Sequence, residues 1–488
     1  MTVLPARVTY TRLRATDPAR WSAAALAWRR WAALLGVLAG EFGPLAAKVR
    51  AAWSGAAAEA AAARLGTVRR RLVLVRLLCW RADQILSEFA AALTRARALL
   101  DRARATARAT GLTIDDAGRV APGPAAAELA TALHVAGTAD QGAAARLAEL
   151  AVTPAAPDGP DRPDCTATPA RVRQWWAGLS PAQRMWLLAT EPGAVAGLDG
   201  VPVADRDLAN RLLLADRRDR LRHAAAAPDA GTLRGLDRLA DRLADERGPR
   251  AYLIGLDVSG DGRAVVALGD PDRAANVLTH VPGMTADLAG LGGELTRAER
   301  VAARAGELGP EAATSSVLWL DYDAPDFLHE AWSARQAEAG ASGLRRFQEG
   351  LRATHEGPAA RQTVLGHSYG SLVVGKAATG ALDADRVVFV GSPGVGVDSV
   401  RQLGVPADRV FASTSLSDPI QHLAVNPVRV PRPPLMPTEK LWFGHDPSDP
   451  AFGARVFGSQ WDGGHLGYWE PGRPALDALA RITLGGTP

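Results

Sequence analysis

The sequence predicts an α/β protein: an all-α front with a long helical hairpin, then a mostly parallel sheet with helices on both faces. Three observations predict it. A seven-residue apolar repeat runs through residues 17–110. After Arg250 the apolar period shortens into runs of about five residues separated by helical patterns. One of those strand-to-helix junctions carries Gly366-His367-Ser368-Tyr369-Gly370. The expected regions are 1–115, the hairpin; 116–249, a helical linker or cap; and 250–488, the sheet domain.

Composition fits a folded chain of several domains. Of 488 residues, 47% are apolar and 22% charged, which excludes a wholly disordered chain. Two cysteines, Cys79 and Cys165, provide neither a disulfide framework nor a Cys-based zinc site. Residues 1–110 hold 19 Arg and Lys against 6 Asp and Glu, a net +13, leaving −9 for the rest. Such a basic front suits a solvated helix face, an acidic neighbour or a membrane surface. Nucleic acid is not the expected partner of these arginines.

In the first helix of the hairpin, Trp21, Trp28, Leu35, Phe42 and Val49 repeat every seven residues. Ala24, Trp31, Leu38, Leu45 and Ala52 follow three positions later. The expected seam is this a/d pair. The pattern breaks at Trp53-Ser54-Gly55 and resumes with Leu65, Leu72, Cys79, Leu86, Leu93 and Leu100. Two antiparallel helices joined at Ser54-Gly55 result, with Pro44 placed to kink the first. The apolar stretch 31–47 is interrupted by Glu41 and Pro44, so no transmembrane segment is expected.

Residues 152–169 read as a Pro- and Asp-rich loop. Ser180 then stands as an N-cap with Pro181 at the first helical position. Helices are expected over 203–227 and 232–247, the second with Leu233, Leu236, Leu239 and Leu243 on one face. Trp175, Trp176 and Trp186 read as core anchors.

The rear half opens with a hairpin, 252–256 and 264–268, around Ser259-Gly260-Asp261-Gly262. Further strands are expected at 276–281, 316–320, 362–365, 386–390, 409–413 and 455–457. The Gly-x-Ser-x-Gly motif sits between strand 362–365 and the helical run 371–378. In that context the serine is held on a sharp turn with its hydroxyl exposed, and the flanking glycines let strand and helix approach. Ser368 is therefore the candidate nucleophile.

A serine hydroxyl needs a base oriented by an acid. The chain supplies both in the order Ser, Asp, His. Asp418 follows strand 409–413, and His465 follows strand 455–457. Both fall beyond strand C-terminal ends, where open parallel sheets build their sites. Rival acids are Asp398 and Asp446; rival bases are His422 and His445, the latter ahead of its strand. The oxyanion hole needs two N–H groups. One is expected from Tyr369, and the other from Gly283 or Met284 in the loop Pro282-Gly283-Met284-Thr285.

Residues 170–485 resemble an actinobacterial α/β-hydrolase family of unassigned function (domain of unknown function 1023). The resemblance rests on residues 366–371, on Phe389-Val390-Gly391-Ser392-Pro393-Gly394-Val395-Gly396, and on Asp446-Pro447-Ser448-Asp449-Pro450-Ala451-Phe452-Gly453. Trp175-Trp176-Ala177-Gly178-Leu179-Ser180-Pro181 resembles that family's upstream helical region. The resemblance implies a Ser-His-Asp hydrolase without fixing the substrate. Residues 15–110, with Trp53-Ser54-Gly55 in the turn, resemble the WXG-motif hairpins exported by type VII secretion. The companion Tyr-x-x-x-Asp/Glu signal of those proteins is absent, and a packing or dimerisation hairpin is the alternative.

The expectation is thus a serine hydrolase of a small-molecule or lipid ester, with the helical region ahead of the sheet as a candidate cap. The alternative is an exported type VII-like interaction protein with a secondary hydrolase domain, binding a helical partner or itself through the hairpin. Met1 to Trp21 lacks the apolar run of a secretory leader, so the protein is expected in the cytoplasm or exported by a type VII-like route. No His-Glu-x-x-His, phosphate loop or Ser-x-x-Lys occurs, and neither cofactor nor metal is expected.

Overall fold

The computed structural model describes the chain except residues 1–7, 152, 157–161, 165, 224–229, 246–247, 327, 332 and 423–442, and the side chains of 230, 328–329 and 421–422. Cys165 and the His422 side chain lie outside the described residues. In chain order the front helices are α1 (Tyr10–Ala15), α2 (Pro18–Ala52), α3 (Ala56–Ala109), α4 (Pro124–Ala148), α5 (Pro169–Gly178), α6 (Pro181–Thr190), α7 (Pro192–Val195), α8 (Val203–Arg222) and α9 (Ala230–Ala244). The strands are β1 (Ala251–Asp257), β2 (Arg263–Leu268), β3 (Asn276–Val281), β4 (Thr314–Leu320), β5 (Arg361–His367), β6 (Arg386–Val390), β7 (Val410–Ser413) and β8 (Arg455–Val456). Among them lie α10 (Leu291–Leu308), α11 (Leu328–Ala331), α12 (Arg335–Thr354), α13 (Tyr369–Ala378) and, last, α14 (Pro474–Thr483).

The chain forms two compact units. The first holds Met1–Pro160, Ala177–Val195 and Ala244–Arg250; the second holds Asp161–Trp176, Ala196–Leu243 and Ala251–Pro488. The region 116–249, expected as one segment, is therefore divided. The reason is polar wiring of α8 to β1. Asp207 accepts from Arg211 at 2.7 Å and from the Leu253 N–H at 2.8 Å, while Asn210 donates to the Ile254 carbonyl at 2.9 Å. These groups are buried and need each other, so α8 folds with the sheet.

In the first unit α2 and α3 form the hairpin. Trp53-Ser54-Gly55 makes its turn, with Gly55 at φ +98°. The seam differs from the expected one. The buried residues of α2 are Ala25, Ala32, Ala39 and Ala46, whereas Trp21, Trp28, Trp31, Leu38 and Leu45 are more than one third exposed. The true seam is one residue, or about 100°, around the helix from the Trp31–Leu38–Leu45 stripe. Small side chains let the backbones approach. Arg76 donates to the Ala32 carbonyl at 3.1 Å, and its guanidinium lies where a Cβ on Gly36 would be. Nearer the N-terminus of α2 the hairpin thickens. Trp21 meets Phe89 edge-on at 5.0 Å, and Asp83, fully buried, pairs with Arg29 at 3.0 Å and Arg250 at 2.9 Å. There Tyr10, Leu13, Phe89, Leu93, Leu100 and Leu129 form a core that joins α1, α3 and α4.

The second unit is built on an eight-stranded sheet of order β1-β2-β4-β3-β5-β6-β7-β8. β1, β2 and β4 pair antiparallel, and every later pair is parallel. The central strand β5 is buried at all but its first residue, as expected for a strand covered on both faces. α12 and α13 pack Leu344, Phe347, Leu372 and Val373 on one face; α10 and α14 pack Val301, Leu476 and Leu479 on the other. Ser180 caps α6 through a capping box with Gln183; this helix belongs to the first unit. The sheet unit has the architecture of an α/β-hydrolase fold.

Candidate active site

β5 ends at His367 and α13 starts at Tyr369, leaving Ser368 alone on the turn. Its backbone sits at φ 54°, ψ −130°, a conformation that L-residues rarely adopt and that costs roughly 1–3 kcal/mol. The surroundings hold it there. The Ser368 N–H donates to the Val390 carbonyl at 3.0 Å, and the Ser371 hydroxyl donates to the Ser368 carbonyl at 2.6 Å. The motif glycines are required by contact. A Cβ on Gly366 would fall 2.6 Å from the Ser371 Cα, and one on Gly370 2.3 Å from the carbonyl oxygens of Val281 and Pro282.

β7 leads to the loop that holds Asp418, and β8 leads to the loop that holds His465. Hydrogen bonds tie the loops together, among them Ser417 N–H to the Trp461 carbonyl at 3.0 Å and Gly464 N–H to the Ser417 hydroxyl at 2.8 Å. His465 Nδ1 then donates to Asp418 Oδ1 at 2.8 Å, with Oδ2 at 2.9 Å. Asp418 is fully buried and also accepts from the Tyr468 hydroxyl at 2.6 Å and the Ile420 N–H at 2.9 Å. Burial pushes its carboxyl pKa up. The hydrogen bonds from His465, Tyr468 and Ile420 outweigh that and hold it below the usual carboxylate range.

The His465 ring lies 4.7 Å from the ring of His367, the residue before the serine. Between Ser368 Oγ and His465 there is no hydrogen bond among the described residues. Such bonds are commonly long before substrate binds. A Cβ on Gly391 would fall 2.8 Å from Asp418 Oδ2 and 3.3 Å from His465 Cε1, so glycine is what admits the pair beside β6.

Gly283 meets the serine directly, since a Cβ there would sit 2.6 Å from Ser368 Cβ. Tyr322 donates its hydroxyl to the Pro282 carbonyl at 2.6 Å and reaches the Gly283 carbonyl at 3.4 Å. In a trans peptide the N–H points opposite to the C=O. The N–H groups of Gly283 and Met284 therefore point away from the Tyr322 hydroxyl. Thr285, at φ 61°, closes this loop by donating its N–H to the Pro325 carbonyl at 2.8 Å. Tyr369 is the first residue of α13, so its N–H has no intrahelical acceptor.

Of the rivals, Asp398 is exposed and Asp446 accepts from the Ser448 N–H at 2.8 Å. His445 stands ahead of β8, its N–H bound to the Val397 carbonyl at 3.1 Å. None of the three is joined to Ser368, Asp418 or His465 by the described hydrogen bonds. Sequence reasoning did not single out Tyr322, Gly391, Tyr468 or His367. His367 is buried, and its Nε2 donates to the His465 carbonyl at 3.0 Å. Burial first, and then the neighbouring His465, lower its pKa to about 3, so it is a neutral donor. The one signal for it was its place as the variable residue ahead of the serine. Among the described residues no group of three or more His, Cys, Asp or Glu is arranged to hold a metal ion.

Comparison with known proteins agrees with this architecture. The family model described as Alpha/beta hydrolase (Abhydrolase_8) matches residues 257–427, a span that includes Ser368 and Asp418. The uncharacterized protein Rv2079 of Mycobacterium tuberculosis H37Rv is 30% identical over 365 residues, 64% of this chain and 55% of that protein. The uncharacterized protein Rv0963c of the same organism is 36% identical over 203 residues, 39% of this chain and 74% of that protein; Mb0988c of Mycobacterium bovis matches equally. The chain thus spans about half the length of the first of these relatives. No solved structure matches it. The chain belongs to the α/β-hydrolase family.

Proposed function

We propose that the chain is a serine hydrolase that cleaves a carboxylic ester through an acyl-enzyme. The observation that carries the reading is the strained Ser368, wedged between glycines, together with the pair formed by buried Asp418 and half-buried His465. In the reaction, His465 Nε2 takes the Ser368 proton as Oγ attacks the ester carbonyl. The charge developing on the carbonyl oxygen is met by the N–H of Tyr369 and that of Gly283 or Met284. Asp418 holds the imidazole with Nδ1 protonated and stabilises the imidazolium. His465 then protonates the leaving alcohol, and water activated by the same imidazole releases the acid.

The rim favours an apolar acyl group. Leu416 and Trp461, 76% and 73% exposed, and Leu466 stand on the loops that carry Asp418 and His465. Large apolar side chains left in water beside a catalytic pair are suited to cover a hydrocarbon chain.

The test is labelling with a fluorophosphonate probe, with the adduct mapped by mass spectrometry. The expected result is one adduct, on Ser368, absent in Ser368→Ala and strongly slowed in Asp418→Asn. Hydrolysis of p-nitrophenyl esters should depend on the same residues. Folded protein that neither labels nor cleaves any ester in a panel of short and long chains would overturn the reading.

A further inference from the structure

The first unit contains a helix whose apolar surface is largely uncovered. α2 is, among the described residues, the one helix long and apolar enough to cross a membrane, yet only 11% of its most apolar stretch is buried. A helix that is apolar around most of its circumference is normally enclosed. Here the alanine seam covers one narrow strip. Trp31, Leu34, Leu38 and Leu45, spaced by three, four and seven residues, form a second stripe in solvent, with Val37 beside it and Trp53 at the tip. Trp31 and Val37 are 57% and 65% exposed. The tip half of α3, from Ala56 to Arg76, buries only Ala58 and Ala62. From residue 31 the arm runs 22 residues to the end of α2, roughly 33 Å.

The charge on this arm indicates what covers it. Between residues 34 and 76, Lys48, Arg50, Arg64, Arg69, Arg70, Arg71 and Arg76 face only Glu41 and Glu59, a net +5. Arg69, Arg70 and Arg71 are exposed. Two copies of the arm would bring like charges together. An anionic surface would attract it, and a lipid surface can cover a helix from several sides where a single protein helix covers one. Tryptophans with arginines are also the residues that settle at a bilayer's headgroup level.

We propose that the distal arm of the α2–α3 hairpin, residues 31–76, is a docking element for an anionic lipid surface. The Trp31–Leu34–Leu38–Leu45 stripe enters the headgroup–acyl boundary, and the arginines meet the lipid charge. This stands apart from the ester reading, since none of its residues belongs to the candidate active site.

Flotation of the full chain with vesicles tests it. Wild type should partition onto phosphatidylglycerol/phosphatidylcholine vesicles and weakly onto phosphatidylcholine alone. The triple variant Trp31→Ser/Leu38→Ser/Leu45→Ser should lose at least about tenfold in partitioning. Arg69→Gln/Arg70→Gln/Arg71→Gln should lose about a hundredfold on the anionic vesicles, at roughly fivefold for each charge near the surface. Circular dichroism guards against misfolding, and because the replaced side chains lie outside the seam, the arginine variant is an independent control. Wild type that ignores anionic vesicles, or both variants binding as wild type does, would overturn the proposal. So would a concentration-dependent dimer without vesicles that the triple variant abolishes, since the stripe would then be covered by a second copy.

Discussion

His367 gives the sharpest quantitative test of the site, because its neutrality follows from burial and not from any assumed reaction. Its ring is 3% exposed, flanked by His465 at 4.7 Å and Trp469 at 4.8 Å, and its pKa is lowered from 6.5 to about 3. Above pH 6.5 the folded and unfolded chains both hold it neutral. Below that the unfolded chain gains a proton that the folded chain refuses until about pH 3, so stability falls with pH across that window. Each unit is worth about 1.4 kcal/mol, and the loss between pH 7 and pH 4.5 comes to about 3 kcal/mol from this residue. His367→Gln keeps a donor near the position of Nε2 and cannot ionise. Urea unfolding of wild type and variant at both pH values gives the comparison. Glu294, His280, Arg297 and His465 surround the ring in both proteins, so the double difference cancels them. The expected result is a smaller acid loss in the variant, by about 3 kcal/mol. Equal losses in the two proteins would refute the argument that burial keeps His367 uncharged.

Other consequences are as direct. Gly283→Ala forces a Cβ against Ser368 and displaces the proposed oxyanion donor; ester-hydrolysis kcat should fall roughly 100- to 1,000-fold with KM little changed. Tyr468→Phe removes the 2.6 Å bond to Asp418, so the Asp418 pKa should rise and the acid limb of the pH–rate profile should move to higher pH. Asp418→Asn leaves the imidazole in the wrong tautomer and should cost about 10⁴ in kcat, read by steady-state kinetics. In the hairpin, Ala39→Leu overfills the seam and should destabilise the first unit by about 1–3 kcal/mol, whereas Leu38→Ala should be nearly neutral in thermal unfolding.

The strands were legible because each short apolar run after Arg250 has one plausible state between turn-formers, and all eight appear within two or three residues of the expected limits. The hairpin was legible as helices but not as a seam. Positions 24, 31, 38 and 45 and positions 25, 32, 39 and 46 are adjacent stripes, and both are apolar. Hydrophobicity alone favours the one with tryptophan and leucine. Close backbone approach selects the alanines instead, and that depends on the partner helix. The same limit hid Tyr322 and Tyr468. Each acts through one hydroxyl aimed at a loop far away in sequence, Tyr468 being 50 residues from Asp418. Local patterning carries no record of such contacts, although Gly-x-Ser-x-Gly carries its own because strand, turn and helix are contiguous.

Backbone strain gives a further reason to propose that the Ser368 turn is built for chemistry. Among the described residues, Ser368 and Thr285 are the only non-glycine positions with positive φ. They come from chain segments more than 80 residues apart, and they converge. Thr285 ends the loop whose Gly283 lies against Ser368, and the hydroxyl of Tyr322 binds that loop's carbonyls. Strain of this kind persists only where the surroundings over-determine it. Here the surroundings are glycines 283, 366 and 370, each of which would clash with backbone or with Ser368 if it carried a side chain. A turn needed only to connect β5 to α13 would relax by placing glycine at position 368. The strained position keeps a serine all the same, as the proposed nucleophilic role requires.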